Sequence, residues 1–263
     1  MGEGKLYKPW YRVQDVLSKG FLCRVFGSTT GRMHHLLSRL ERNFFLIFDY
    51  LLFYTDIREQ YPLLPLEETL EIAEECGIRH PVCRYSKDPI VLTTDFHLTV
   101  QTDAGSMACI RTVKPVGKLD DERKQRRILE KFEIERRYWL RRGLTMKILT
   151  ERHLPEGLFH NVNRIHRCRL LSDIAPLTAD DVNRLEAEML SHIAEGRWPL
   201  IQITSASDRR FGLKAGTSLT VVYHLIANHR WRVDLSTALR TSEKLMVSNL
   251  ADLAAVGRKA VSR

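Results

Sequence analysis

Ile90-Val-Leu-Thr-Thr-Asp95-Phe-His-Leu-Thr-Val-Gln-Thr102 and Met107-Ala-Cys-Ile-Arg-Thr-Val-Lys-Pro115 are two strand-like runs separated by Asp103-Ala-Gly-Ser106. β-Rich runs joined by a short Gly-containing loop predict an antiparallel hairpin with a four-residue turn. Folding about that loop sets Asp95 opposite the end of the second strand, near Thr112 to Lys114, and period-2 alternation puts Thr112 and Lys114 on one face. A carboxylate, an oxygen ligand and an ammonium then converge at one sheet end. Phosphodiester hydrolysis uses such a set: an acid to hold Mg²⁺, and a lysine to position or activate water and offset developing phosphate charge. An Asp followed at a distance by a Lys also arises by chance on protein surfaces, so the neighbouring sequence has to decide.

Downstream, a basic helix from about Asp121 to Arg142 ends at Gly143 and leads to a strand, Thr145 to Thr150. Upstream, short strand-like pieces (Tyr11 to Val16, Leu22 to Phe26) end at the turn-prone Gly27-Ser-Thr-Thr-Gly31. Met33, Leu36, Leu37, Leu40, Phe44, Ile47, Phe48 and Leu51 then recur at the steps of an amphipathic helix. Phe53 to Leu64 reads as a strand or extended arm, and Glu67 to Cys76 as a short acidic helix stopped by Gly77. The first domain is therefore α/β, with an opening helix followed by β, β, α, β. A break near Pro155-Glu-Gly157 divides the chain into residues 1–155 and 156–263. In the second part Thr178-Ala-Asp-Asp181 marks a capped helix running to about Ala194. Trp198-Pro199 and Thr204 to Asp208 read as loops, Thr217 to Asn228 as a helix, and Arg230 to Leu235 with Leu245 to Asn249 as a β-ribbon. Two helices and a basic ribbon suggest a winged-helix-like unit.

The length, 263 residues, suits two domains at ~100 to 200 residues each. Hydrophobic content of 44% and charged content of 28% exclude collagen-like, low-complexity and wholly disordered classes. The net charge of +9 favours a polyanionic partner, nucleic acid first. Arg123 to Lys147 holds ten Lys or Arg against Glu130, Glu133 and Glu135, a net +7, either a solvated helix face or a phosphate-facing one. Cys23, Cys76, Cys83, Cys109 and Cys168 are odd in number and lack zinc spacing, which speaks against a disulfide framework and for a reducing cytoplasmic setting. The apolar run Phe44 to Tyr54 is broken by Asp49 and falls short of the ~20 residues of a membrane span.

Phosphate-binding, dinucleotide-binding, serine-hydrolase and zinc-protease motifs are missing from the sequence, and His153, His160, His166 and Cys168 match no common metal spacing. Glu41 stands out, lying four residues after Leu37 and three before Phe44, in or beside an apolar helical stripe where an unpaired carboxylate is costly. It either joins a metal site or sits at an edge, reaching solvent or pairing with Arg58 or His35.

Gly31-Arg-Met-His-His-Leu-Leu-Ser-Arg-Leu-Glu41, Asp56-Ile-Arg-Glu-Gln-Tyr-Pro-Leu-Leu-Pro65, His80-Pro81, Thr93-Thr-Asp-Phe96, Val113-Lys-Pro115 and Glu133-Ile-Glu-Arg-Arg-Tyr-Trp139 occur in this order. The set resembles the TnsA family, the endonuclease subunits of heteromeric transposases of the Tn-seven type. The likeness covers most of residues 5–150 and is loose over 156–263. It implies a restriction-endonuclease-like, PD-(D/E)xK, N-terminal domain with mixed sheet and flanking helices, and a mainly helical, winged-helix-like C-terminal domain. It implies cleavage of the 5′, non-transferred strands at transposon ends, beside the transposase TnsB and the AAA+ regulator TnsC. The family's catalytic acid, Asp and Lys fall on Glu41, Asp95 and Lys114; Thr112 stands where the family carries Gln or Glu.

The expected activity is thus Mg²⁺-dependent DNA cleavage, with Mn²⁺ as an alternative and one or two ions held by Glu41, Asp95, Thr112 and the Val113 carbonyl. Lys114 would orient or deprotonate the attacking water. Arg123, Lys124, Arg126, Arg127, Arg136 and Arg137, with Arg230 and Arg232 in the second domain, are the expected DNA contacts. Arg209, Arg210, Arg230, Trp231, Arg232 and Lys244 outline an anion-binding surface or a plain solvated one. Two other readings stay open: a DNA-bridging or regulatory subunit with a decayed nuclease site, and a free-standing restriction or repair nuclease. Partners would be transposon-end DNA, TnsB and TnsC, with no membrane.

Overall fold

The computed structural model describes residues 2–16, 20–120, 122–170, 172 and 176–249. It divides into two compact units, Met1–Leu154 and Pro155–Arg263.

In the first unit a small antiparallel pair, β1 (Cys23–Gly27) and β2 (Arg32–Leu36), precedes α1 (Arg39–Tyr50). β3 (Tyr54–Pro62), α2 (Leu66–Glu75), β4 (Thr93–Thr102), β5 (Gly105–Val113), α3 (Val116–Leu119), α4 (Glu122–Leu140) and β6 (Met146–Leu149) follow. The main sheet has the order β3-β4-β5-β6; its first three strands are antiparallel and β6 joins β5 in parallel. A parallel neighbour needs a crossover, which α4 supplies.

The hairpin is tighter than the sequence suggests. Thr102 pairs with Gly105, so only Asp103 and Ala104 form the turn. Gly105, at φ 118, adopts a conformation that side-chain-bearing residues avoid, and this lets the ladder begin earlier. Continuing the register from Phe96↔Arg111 sets Asp95 against Thr112.

The opening helix is shorter than its apolar spacing implies. Met33 and Leu36 belong to β2, whose residues alternate between buried and exposed, while Ser38 starts α1 by accepting the Glu41 N–H at 3.1 Å. Ser38-x-x-Glu41 is a helix-start signature, and it overrides a period that runs through by coincidence. Tyr11 to Val16 likewise forms a 3₁₀ turn at Val13–Asp15, closed by Asp15 accepting the Arg12 N–H, rather than a strand.

The sheet is covered on both faces. Phe48 of α1 meets Phe96 edge-on at 5.3 Å, and Leu63, Ile72, Ala73, Ile110, Ile134, Tyr138 and Trp139 form a core between the other face and helices α2 and α4. Each of the buried Leu, Ile and Phe side chains contributes about 1.5–3 kcal/mol of burial.

In the second unit α5 (Glu156–His166), α6 (Ala179–Glu195), α7 (Leu200–Arg210) and α8 (Thr217–Ala227) are all helical. The capped start of α6 is as the sequence predicts, with Thr178 accepting from the Asp181 N–H. Residues 204–208, expected as a loop, lie inside α7. Two of their polar groups are satisfied internally: Thr204 Oγ1 donates to the Leu200 carbonyl at 3.1 Å, and Asp208 accepts the Gly216 and Ser218 N–H groups at 2.7 and 2.8 Å. The expected β-ribbon is also corrected. Residues 230–235 and 245–249 do come together, with the Ser248 N–H donating to the Arg232 carbonyl at 2.8 Å. Further bonds run through the Asn249 side chain, which accepts the Arg232 N–H and donates to the Arg230 carbonyl. No strand ladder forms there among the described residues. Gly157 lets α5 approach the chain at Ser236, whose carbonyl oxygen would stand 2.4 Å from any added Cβ. Among the described residues no helix is long and apolar enough to cross a membrane.

Candidate active site

Glu41 reaches the site from the first turn of α1. Its carboxylate accepts the Leu37 N–H at 2.9 Å and the Gln60 side-chain amide at 3.2 Å. It is only 8% exposed. Burial, then the charge of Asp95, push its pKa up to about 7, against the opposing pull of the Leu37 N–H, Ser38 and Lys114. Of the alternatives raised by the sequence, Arg58 is engaged by Asp56, Glu3 and His97, and His35 accepts the Val13 N–H, so neither serves as the partner of Glu41.

Asp95 lies on β4, and its Oδ2 accepts the Val113 N–H of β5 at 2.7 Å. Thr112, Val113 and Lys114 close the other strand; the Lys114 N–H donates to the Leu149 carbonyl at 2.9 Å, fixing the end of β5 against β6. Asp95, Thr112 and Lys114 share a cavity of about 160 Å³ with Lys131, Phe132 and Glu135 of α4. Lys114 Nζ stands 5.8 Å from the centre of the Phe132 ring. Three separate elements thus bring together Glu41, Asp95 and Lys114, the three residues singled out in the sequence.

Glu135 was counted in the sequence only as an offset to the basic helix. It is 5% exposed and accepts hydroxyl hydrogen bonds from Thr112 and from Thr94, the latter at 2.7 Å. The Trp139 indole N–H donates to Thr94 at 2.7 Å and orders that contact. Burial pushes the Glu135 pKa up to about 7; the Thr112 and Thr94 bonds oppose this, and Asp95 adds to it. The signal was legible, because Glu135 lies three residues after Phe132 and four before Trp139, an apolar-stripe position like that of Glu41. Thr112 spends its proton on Glu135, while the Val113 N–H is engaged by Asp95. No cluster of three or more His, Cys, Asp or Glu able to hold a metal is assembled among the described residues.

The basic helix carries less free charge than its sequence suggests. Arg126 and Arg127 pair with Glu130, and Arg136 and Arg137 with Glu133. Arg141 reaches Glu71 and Glu75 of α2, and Arg142 reaches Glu68. The side chains of Arg123 and Lys124 lie outside those described. In the second unit Arg230 pairs with Glu186 and Asn183, and Arg232 is exposed. Trp231 is corrected from surface to core: it is fully buried, and its indole N–H donates to Glu186 at 2.9 Å.

Two family models match the chain: TnsA-like endonuclease N terminal over residues 54–151, and TnsA endonuclease C terminal over residues 154–235. The transposon Tn7 transposition protein TnsA of Escherichia coli is 34% identical over 244 residues, which span 92% of this chain and 84% of that protein. The chain belongs to the TnsA endonuclease family. It is therefore a nuclease of the transposition type. The TnsA N-terminal match contains Asp95, Thr112, Lys114 and Glu135, while Glu41 lies ahead of it and is tied to the matched region by Gln60.

Proposed function

We propose that this TnsA-family chain is a Mg²⁺-dependent endonuclease subunit that cuts the 5′, non-transferred strands at transposon ends, with Mn²⁺ able to replace Mg²⁺. The observation that carries the reading is that the buried Glu41 carboxylate faces the charge of Asp95, which raises its cost of ionisation, with Lys114 as the nearby cation. Two facing carboxylates held like this suit a hard divalent ion, and Mg²⁺ habitually takes one or two carboxylates and completes its shell with water and phosphate oxygens. Glu41 and Asp95 would hold it, with the Val113 carbonyl and Thr112 hydroxyl as the adjacent oxygens. The bound ion would polarise the scissile phosphate and stabilise the leaving oxygen.

The remaining chemistry falls to the chain. The Val113 N–H fixes one oxygen of Asp95 and so orients the carboxylate. Lys114 stands on the same cavity wall, where its ammonium would orient the attacking water and offset charge on the phosphate. Glu135, held by Thr94 and Thr112, anchors the end of β5 that carries Lys114 and is placed to take or return a proton within the cavity. Phosphate contacts position DNA without reading it, and solvent-facing arginines such as Arg126 and Arg232 are suited to that task. Transposon-end selection would then come from partners, with TnsB cutting and joining the 3′ strands and TnsC contacting the C-terminal unit.

The test is 5′-strand cleavage in the complete transposase, which Glu41→Ala and Asp95→Ala are expected to abolish and Lys114→Ala to slow, while 3′ joining persists. Full activity of Asp95→Ala would overturn the mechanism. Metal binding indifferent to Asp95 would favour the DNA-bridging role instead.

A further inference from the structure

Gln60 is the one non-glycine residue of the main sheet's strands with a left-handed backbone, φ 48, among the described residues. It lies between the ladder pairs Glu59↔Phe96 and Tyr61↔Thr94, which places it opposite Asp95. In a regular strand Glu59 and Tyr61 would share a face. Here Glu59 turns to Arg32 and His34, while Tyr61 stacks on His97 and meets Trp139 on the α4 side. The unusual φ of Gln60 makes that switch, and the Trp10 N–H, from the segment ahead of the family match, donates to its carbonyl at 3.2 Å. Non-glycine residues in this conformation persist where the surroundings fix them, and they gather at functional sites.

The side chain of Gln60 is 4% exposed and both ends of its amide are bonded. Nε2 donates to Glu41 Oε2 at 3.2 Å, and Oε1 accepts the Thr93 hydroxyl at 3.2 Å. The polarity is fixed by chemistry: an ionised Glu41 only accepts, so the amide nitrogen must face it, leaving the oxygen for Thr93. The other groups holding Glu41, at Leu37 and Ser38, belong to its own helix turn. The amide bond from Gln60 instead ties Glu41 across to the sheet, to the strand position facing Asp95.

We infer that Gln60 is a positioning residue for the metal site: its strained backbone and doubly bonded amide set Glu41 at a fixed place relative to Asp95, and Thr93 locks the amide. The inference rests on the proposal that Glu41 and Asp95 hold a divalent cation. Groups that orient a metal ligand are typically worth ~10–100-fold in metal affinity.

The test measures Mn²⁺ binding to the full chain by electron paramagnetic resonance and calorimetry, alongside the Mn²⁺ concentration needed for 5′-strand cleavage in the complete transposase. Gln60→Gly accepts the left-handed backbone and removes only the side chain. It should fold, bind Mn²⁺ at least ~tenfold more weakly, and recover most of its cleavage rate at saturating Mn²⁺. Thr93→Val should weaken binding in the same direction, and Thr93→Ser, which keeps the hydroxyl, should restore it. Unchanged Mn²⁺ affinity in Gln60→Gly, with affinity lost in Glu41→Ala, would overturn the role of Gln60 and leave the metal site standing. Should Gln60→Gly fail to fold, equal affinities of Thr93→Val and Thr93→Ser would overturn it. If Glu41→Ala and Asp95→Ala also bind Mn²⁺ normally, the metal reading itself has failed.

Discussion

Glu59 and Glu41 are buried carboxylates on facing elements of one unit, and they are treated in opposite ways. Glu59 is fully buried, yet it accepts two bonds from Arg32, at 2.9 and 2.6 Å, and sits 2.7 Å from His34 Nδ1. Burial alone would raise its pKa; the bonds and charges of Arg32 and His34 prevail and bring it down to about 2. Glu41 and Glu135 have no arginine against them, face the charge of Asp95, and are pushed up to about 7. A carboxylate that serves the fold is given its counter-charge by the fold. Buried acids left with a raised pKa, with only Lys114 as a nearby cation, mark the candidate site, because such groups gather where function needs them.

The most severe way to break the contrast is to strip Glu59 of its cation. Arg32→Ala should leave a buried charge unpaired and cost about 3–5 kcal/mol, read from urea unfolding. In the wild type the contribution of Glu59 is full above its unfolded value of 4.5 and is lost as pH falls towards 2. An Arg32→Ala protein as stable as wild type at pH 7 would show that the pairing is ornamental.

Next in size is the active-site side. Lys114→Ala should slow 5′-strand cleavage on the order of 10²–10³-fold while Mn²⁺ binding to the free protein persists, since Lys114 is no ligand. Loss of metal binding together with cleavage would instead assign the lysine to the architecture of the site.

Glu135→Gln keeps the acceptor for Thr94 and Thr112 but cannot ionise. Because the folded pKa is raised, wild-type stability from this group is present below 4.5 and is lost as pH rises through about 7. With chelator present, the variant should match wild type near pH 4.5 and exceed it by up to roughly 3 kcal/mol near pH 8. Parallel stability curves would show that Glu135 carries no such burden.

The smallest effect belongs to the solvent-exposed pairs. Arg141→Ala, which removes contacts to Glu71 and Glu75, should change stability by less than about 1 kcal/mol, and the change should fade in high salt. A larger loss would mean that the α2–α4 pairs act as a network.

Much of this was legible along the chain. The hairpin placed Asp95 beside the Thr112–Lys114 end because a period of two and a short loop leave few registers. Glu41 announced itself as an acid in an apolar stripe, and the same criterion would have found Glu135 had its helix not been read chiefly for charge. The free charge of the basic segment was less legible: counting charges along a sequence does not reveal that α2 presents Glu68, Glu71 and Glu75 to Arg141 and Arg142. The α7 segment was hidden because Thr204, Ser207 and Asp208 resemble loop residues until their partners are known.

By itself, then, the sequence determined the α/β character of the first unit, helices α6 and α8 of the second with the Thr178 cap, and the family, and it singled out Glu41, Asp95 and Lys114. These follow from local periodicity, capping chemistry and residue type, which act over a few neighbouring positions. Only the tertiary structure decided which buried acids receive a counter-charge, that Arg141 and Arg142 reach the acids of α2, and that Gln60 bonds Glu41 from the strand position opposite Asp95. Those outcomes depend on side chains brought together from 18 or more positions apart, and burial and electrostatics act on distance in space rather than along the chain.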